Sequence, residues 1–106
     1  MKTARLSEMT KGWLIGDFEP SLYRTQAVEV AVKTYRAGER ESAHFHRIAT
    51  EFTVVTNGEV EMNGVRYRSG DIIVIDPGDV TDFTAITNAT TTVVKIPGAP
   101  NDKFSA

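Results

Sequence analysis

Alternation of apolar and polar positions runs through the middle of the chain and is broken at short intervals by Gly and Pro. From Gln26 to Arg36, Val28, Val30 and Val32 share one face, while Glu29, Ala31 and Lys33 share the other. That is the period of a β-strand, and Ala37-Gly38 ends it. Short strands are predicted at Ser42–Arg47 and at Glu51–Thr56, the latter closed by Asn57-Gly58. The sharpest local signal is Val60-Glu61-Met62-Asn63-Gly64-Val65-Arg66-Tyr67. Asn63-Gly64 suits a two-residue type I′ hairpin turn, because both central positions need positive φ. Such a turn sets the register: Met62 opposite Val65, Glu61 opposite Arg66, Val60 opposite Tyr67. Asp71–Ile75 is almost wholly apolar, which predicts a strand buried on both faces. Pro77-Gly78 then turns the chain, and two more strands fit Asp82–Ile86 and Thr91–Ile96.

The flanks are less regular. Residues 1–25 carry no sustained pattern beyond one helical turn at Leu6–Lys11. Trp13, Leu14, Ile15 and Phe18 are expected to pack on the body, with Trp13 as a cover for an open barrel edge. Pro97-Gly98-Ala99-Pro100 cannot continue a sheet, so residues 97–106 are predicted to be irregular. The expectation is one all-β domain over 1–106, with its barrel at about 26–96. No internal repeat or low-complexity linker is present.

Composition narrows the function classes. The 106 residues are 41% hydrophobic and 25% charged, enough for one modest core, which a bound metal or dimerisation would help to stabilise. The net charge is -2 with the signs interspersed, and no basic stripe offers itself to a phosphate backbone, so nucleic acid is not an expected partner. The absence of cysteine removes disulfides, thiolate metal sites and cysteine nucleophiles. It fits a reducing compartment. MKTARLSEMTKGWLIGDF lacks the apolar core of a secretory signal, and no apolar run approaches the roughly 20 residues of a membrane helix. A cytoplasmic protein with no membrane partner is therefore expected, and Asn88-Ala89-Thr90 is read as a chance glycosylation sequon.

The chemistry concentrates at one place. The only two histidines are His44 and His46, two apart on a predicted strand, so both imidazoles project to one face while Phe45 points away. Glu51 follows at the start of the next strand, where a tight connection through 47–50 folds it back against the pair. Two imidazoles and a carboxylate on neighbouring strands suit one divalent ion, Zn, Fe, Mn or Ni. Two histidines on a strand are also common as plain polar surface.

The spacing around them resembles the first motif of the cupin family: Gly, five residues, His-x-His, three or four residues, Glu, six residues, Gly. Here Gly38, His44-Phe45-His46, Glu51 and Gly58 occupy every fixed position. The resemblance covers about Val28–Ile96. It implies a double-stranded β-helix barrel of the jelly-roll type with a divalent metal inside, held by His44, His46 and Glu51. The second cupin motif is degenerate. Gly70 and Gly78 are in place, but Asp76 takes the proline slot, Thr81 the slot of the last histidine and Ala85 that of the asparagine. Three readings of that gap are open: a three-ligand site with free positions for water or substrate, Asp82 reaching in beside Thr81, or a weak or lost metal site in a pocket that only binds.

Other residues have competing readings. Tyr35, Tyr67, Thr53 and Phe83 line a pocket or fill the core. Glu41 orients an imidazole or is a solvated loop charge. Arg40 and Arg47 greet an anion at the barrel mouth or are plain surface. Asp76 and Asp79 shape the turn at Pro77-Gly78. Three functions remain in play: a metal-dependent enzyme acting on a small molecule, a non-catalytic cupin holding a small ligand, and a barrel serving assembly. No residue stands out as a general base. Unpaired barrel edges favour a homodimer in each case.

Overall fold

The structure is a computed structural model describing residues 1–106. Ten strands form in chain order: β1 Trp13–Ile15, β2 Glu29–Tyr35, β3 Arg40–Phe45, β4 Thr50–Asn57, β5 Glu59–Met62, β6 Val65–Arg68, β7 Ile72–Ile75, β8 Thr81–Ala85, β9 Ala89–Ile96 and β10 Phe104–Ser105. They pair antiparallel in two five-stranded sheets, β1-β2-β9-β4-β7 and β10-β3-β8-β5-β6. The chain changes sheet after β2, β3, β4, β6, β7, β8 and β9, which winds it into a double-stranded β-helix. Helix is confined to two 3₁₀ turns, Leu6–Glu8 and Thr10–Gly12, and no helix is long and apolar enough to cross a membrane.

The Asn63-Gly64 hairpin has the register its turn predicts, with Val60, Glu61 and Met62 opposite Tyr67, Arg66 and Val65. Both turn residues have positive φ, 51° and 78°. Three expectations need correction. The strand at Ile72–Ile75 is not buried on both faces: β7 is a sheet edge paired only with β4, and Ile72 and Val74 point outward, 64% and 52% exposed. The segment before residue 26 is not wholly irregular, because β1 adds to the edge of β2 and pairs Trp13 with Ala31. The tail is not irregular either. β10 pairs Phe104 with Phe45 and Ser105 with His44, and so extends the sheet that carries the histidines.

The barrel interior divides into two ends. One is filled by Val55, Val60, Met62, Ile75, Phe83, Ala85 and Ala89. The other is lined by polar and charged side chains. On β2 the interior face is Glu29, Ala31, Lys33 and Tyr35, while Val30 and Val32 face outward. On β9 it is Ala89, Thr91, Val93 and Lys95, and on β4 it is Glu51, Thr53 and Val55.

Candidate metal and ligand site

A cavity of about 420 Å³ occupies the polar end, and His44, His46 and Glu51 all line it. They reach it from both sheets. His44 lies near the end of β3, His46 just after it, and Glu51 on β4 in the opposite sheet. The carboxylate therefore faces the imidazoles across the interior, rather than from a neighbouring strand as the spacing alone suggested. The crossing from one sheet to the other through residues 47–49 makes this possible.

His46 is held at two points and is 2% exposed. Its Nδ1–H donates to the backbone carbonyl of Asp102. Its own carbonyl accepts from the N–H of Gly78 at 2.7 Å, which ties the Pro77-Gly78 turn to the site. Its Nε2 stands 3.4 Å from Oε1 of Glu51, too poorly aligned for a hydrogen bond, and is left buried with no partner. His44 is half-buried, its Nδ1 is 2.9 Å from the Ser42 carbonyl, and its ring centre is 5.4 Å from that of His46. Each Nδ1 is engaged by a backbone carbonyl, the arrangement common in metal-ligating histidines.

Glu51 is oriented from its other side, where the Thr53 hydroxyl donates to Oε2 at 3.0 Å. Burial pushes the Glu51 carboxyl up. The imidazole of His46, the Thr53 hydroxyl and the Lys95 ammonium more than offset this and hold it below its usual range. The donor set fits a divalent ion, and a buried imidazole nitrogen without a partner is a group such an ion would satisfy. The three side chains are nevertheless not closed around a point, and no group of three His, Asp or Glu donors is gathered tightly enough to enclose an ion.

Thr81 pairs with His44 across β8 and lines the cavity, so its neutral hydroxyl faces the site. Asp82 does not reach in. It points outward and accepts from the N–H of Asn63 at 2.7 Å. Glu41 is not a loop charge. A bulge between Glu41 and His44 lets both face the cavity despite their odd spacing. The Glu41 carboxylate accepts from the Tyr35 hydroxyl at 3.0 Å and lies 3.7 Å from Lys103 Nζ. Burial and the adjacent Glu41 carboxylate push the Tyr35 phenol far above its usual range. Tyr35, Thr53 and Phe83 line the cavity, whereas Tyr67 packs against the apolar end. Arg40 and Arg47 do not line it. Arg47 lies 4.1 Å over the Phe104 ring on the outside. Asp76 and Asp79 bond each other across the turn, as expected.

Sequence reasoning missed five charged groups here. Glu29, Lys95 and Glu51 form one lateral row across β2, β9 and β4. Lys95 Nζ is 3.9 Å from Glu29 Oε1, and both side chains are buried. Lys33 and Lys95 each place an ammonium 5.3 Å from the centre of the Trp13 ring. Asp102 and Lys103 arrive from the tail. A charge alternating with valines on a strand reads as a solvated face, so only the pairing of β2 with β9 and β4 reveals the row.

Two layers of short antiparallel strands that change sheet at nearly every turn define a double-stranded β-helix, with a ligand-sized cavity at one end. Solved structures share it. A conserved double-stranded β-helix protein from Klebsiella pneumoniae is 26% identical, over 70% of this chain and 66% of that one, with a TM-score of 0.65. An RmlC-like cupin from Shewanella frigidimarina is 21% identical over 74% and 72%, with a TM-score of 0.66. The DMSP lyase DddQ from Ruegeria pomeroyi is 19% identical over 89% of this chain, with a TM-score of 0.73. The chain spans just under two thirds of the Klebsiella protein and about half of the lyase. No protein-family model and no curated protein matches the sequence. The chain thus shares the double-stranded β-helix fold of these proteins, RmlC-like cupins among them.

Proposed function

We propose that this protein binds one divalent metal ion through His44, His46 and Glu51 and holds a small molecule beside it in the barrel cavity. The observation that carries the reading is the buried, unpartnered Nε2 of His46, aimed at Glu51 with its Nδ1 already engaged by Asp102. Zn, Fe, Mn and Ni all accept this donor set. When bound, such an ion supplies Lewis-acid or redox chemistry. The protein's own contribution is to set the tautomer of each imidazole, keep Glu51 ionised and shield the site inside the barrel.

Non-catalytic ligand binding is the second reading, and Thr81 in place of a fourth ligand favours it, because a neutral hydroxyl holds a metal weakly. We further infer a homodimer, supported by the apolar outer face around the unpaired edge of β7.

Metal analysis of purified protein after supplementation tests the main reading. About one ion per chain is expected in the wild type, falling below about one tenth in His46→Ala and Glu51→Ala variants that remain folded. Wild-type protein that stays metal-free would overturn it. Oxygen uptake after anaerobic Fe(II) loading would then separate a catalytic site from one that only binds.

A further inference from the structure

Five charges on the cavity wall, Glu29, Lys33, Glu41, Lys95 and Lys103, are not equally satisfied. Lys95 is paired with Glu29, and Lys103 with Glu41. Lys33 lies over the face of Trp13, half-buried on the cavity wall, with Glu41 and Glu51 near but outside ion-pair distance. Burial holds its ammonium below its usual range. Glu29 has the opposite deficit. One oxygen lies near Lys95, while Oε2 is buried with no hydrogen-bond partner. Strand β2 thus presents to the cavity one cation outside any ion pair, Lys33, and one unpartnered buried acceptor, Glu29 Oε2, with Lys11 a second unpaired ammonium on the exposed rim. Leaving either desolvated is costly, and a ligand that supplies an anion to one and a donor to the other removes both costs.

We propose that the cavity takes a small hydroxycarboxylate, its carboxylate on Lys33 Nζ and a hydroxyl donating to Glu29 Oε2. The proposal rests on reading this cavity as the ligand site. Charge selects the class. Glu19, Glu29, Glu41, Glu51 and Asp102 all line the cavity, so a dianionic phosphate meets five carboxylates for two ammoniums outside ion pairs, Lys11 and Lys33. No arginine lines the cavity to offer a planar fork to phosphate. A neutral polyol leaves Lys33 uncompensated, and an unsubstituted fatty acid leaves Glu29 uncompensated. A volume of about 420 Å³ limits the ligand to a small molecule.

The test uses the full chain stripped of metal with EDTA and three six-carbon probes: D-gluconate, D-sorbitol and hexanoate, with inorganic phosphate as a fourth. Gluconate should bind at least about tenfold more tightly than the other three by calorimetry. Lys33→Met should lose about tenfold in gluconate affinity while Lys33→Arg keeps most of it, and Glu29→Gln should narrow the gap between gluconate and hexanoate. Lys33→Gln serves if Lys33→Met does not fold. Sorbitol or phosphate binding as well as gluconate, or gluconate binding indifferent to Lys33, overturns the proposal. So does no binding of gluconate, galacturonate or glycolate up to about 50 mM. Zinc titration of the same preparations separates the two ideas. Lys33-dependent gluconate binding without zinc binding refutes the metal reading and supports this one. Zinc binding without Lys33-dependent carboxylate binding refutes this one alone.

Discussion

His46 and Asp102 are 56 positions apart, and the Nδ1–H of His46 donates to the backbone carbonyl of Asp102. The side chain of Asp102 acts on the same turn. Its carboxylate accepts from the N–H groups of Arg47, Ile48 and Ala49 at 2.8–3.3 Å, the segment that carries the chain from His46 across to Glu51. Burial pushes the Asp102 carboxyl up, but the donors of Ala49, Arg47 and Ile48 outweigh it and hold it low. One tail residue thus fixes both the tautomer of His46 and the crossing that brings Glu51 to it. Asp102→Ala strands three N–H groups, and a loss of about 3 kcal/mol is expected, measured by denaturant unfolding. Zinc affinity should fall with it, since the crossing is no longer held. An unchanged unfolding midpoint would show that the tail is not a structural part of the site.

The place where Thr81 stands gives a test by gain. Thr81 is opposite His44 in register and faces the cavity, so an imidazole at this position projects toward the ligand set. Thr81→His should tighten zinc binding by about tenfold or more, because imidazole is a far better donor than a neutral hydroxyl. Competition against a chromophoric chelator reads this directly. No gain would place the ion away from β8.

The two glycines that bracket the first motif should respond unequally. Both have positive φ, 90° at Gly38 and 82° at Gly58. A Cβ on Gly38 meets nothing within 4 Å, whereas one on Gly58 runs into the Asn88 carbonyl and the Cα of Ala89. Gly38→Ala should therefore cost about 1 kcal/mol, the left-handed penalty alone. Gly58→Ala should cost about 3 kcal/mol or more, because backbone has to move as well. Thermal melts of the two variants check the order, and equal losses would mean that the Asn88 loop yields freely.

These contrasts mark how far the sequence is legible. Local chemistry was readable: Asn63-Gly64 dictates its hairpin register, and the spacing from Gly38 to Gly58 singles out His44, His46 and Glu51. Pairings between distant segments were not. Alternation along Val28–Lys33 establishes two faces without saying which turns inward, and here the face carrying Glu29 and Lys33 does. The bulge after Glu41 breaks the two-residue period that strand reasoning relies on, so its inward placement was hidden. Asp102 follows Pro97-Gly98-Ala99-Pro100, a stretch whose chemistry forbids a sheet but does not forbid a return to one. Apolar Ile72–Ile75 suggested full burial because composition reports hydrophobicity and not which partner covers it.

The outward side chains of β7 raise the question of that partner. Val30, Val94, Phe52 and Val74 lie in one register row across β2, β9, β4 and β7, and Val32, Thr92, Val54 and Ile72 in the next. Ile72, Val74 and Ile96 are each at least 50% exposed on this face. Monomers rarely leave a contiguous apolar patch of this kind uncovered, and β7 also offers its free edge to a second strand. A two-fold contact through this face covers both at once, because an isologous interface uses the same patch on each copy. Wild-type protein should sediment as a dimer at about 100 μM, with a melting temperature that rises with concentration. The double variant Ile72→Lys, Val74→Lys should be monomeric and lose that concentration dependence while keeping its fold, since neither side chain enters the barrel. A wild type that is monomeric at that concentration, or a double variant that remains dimeric, would remove this face as the interface.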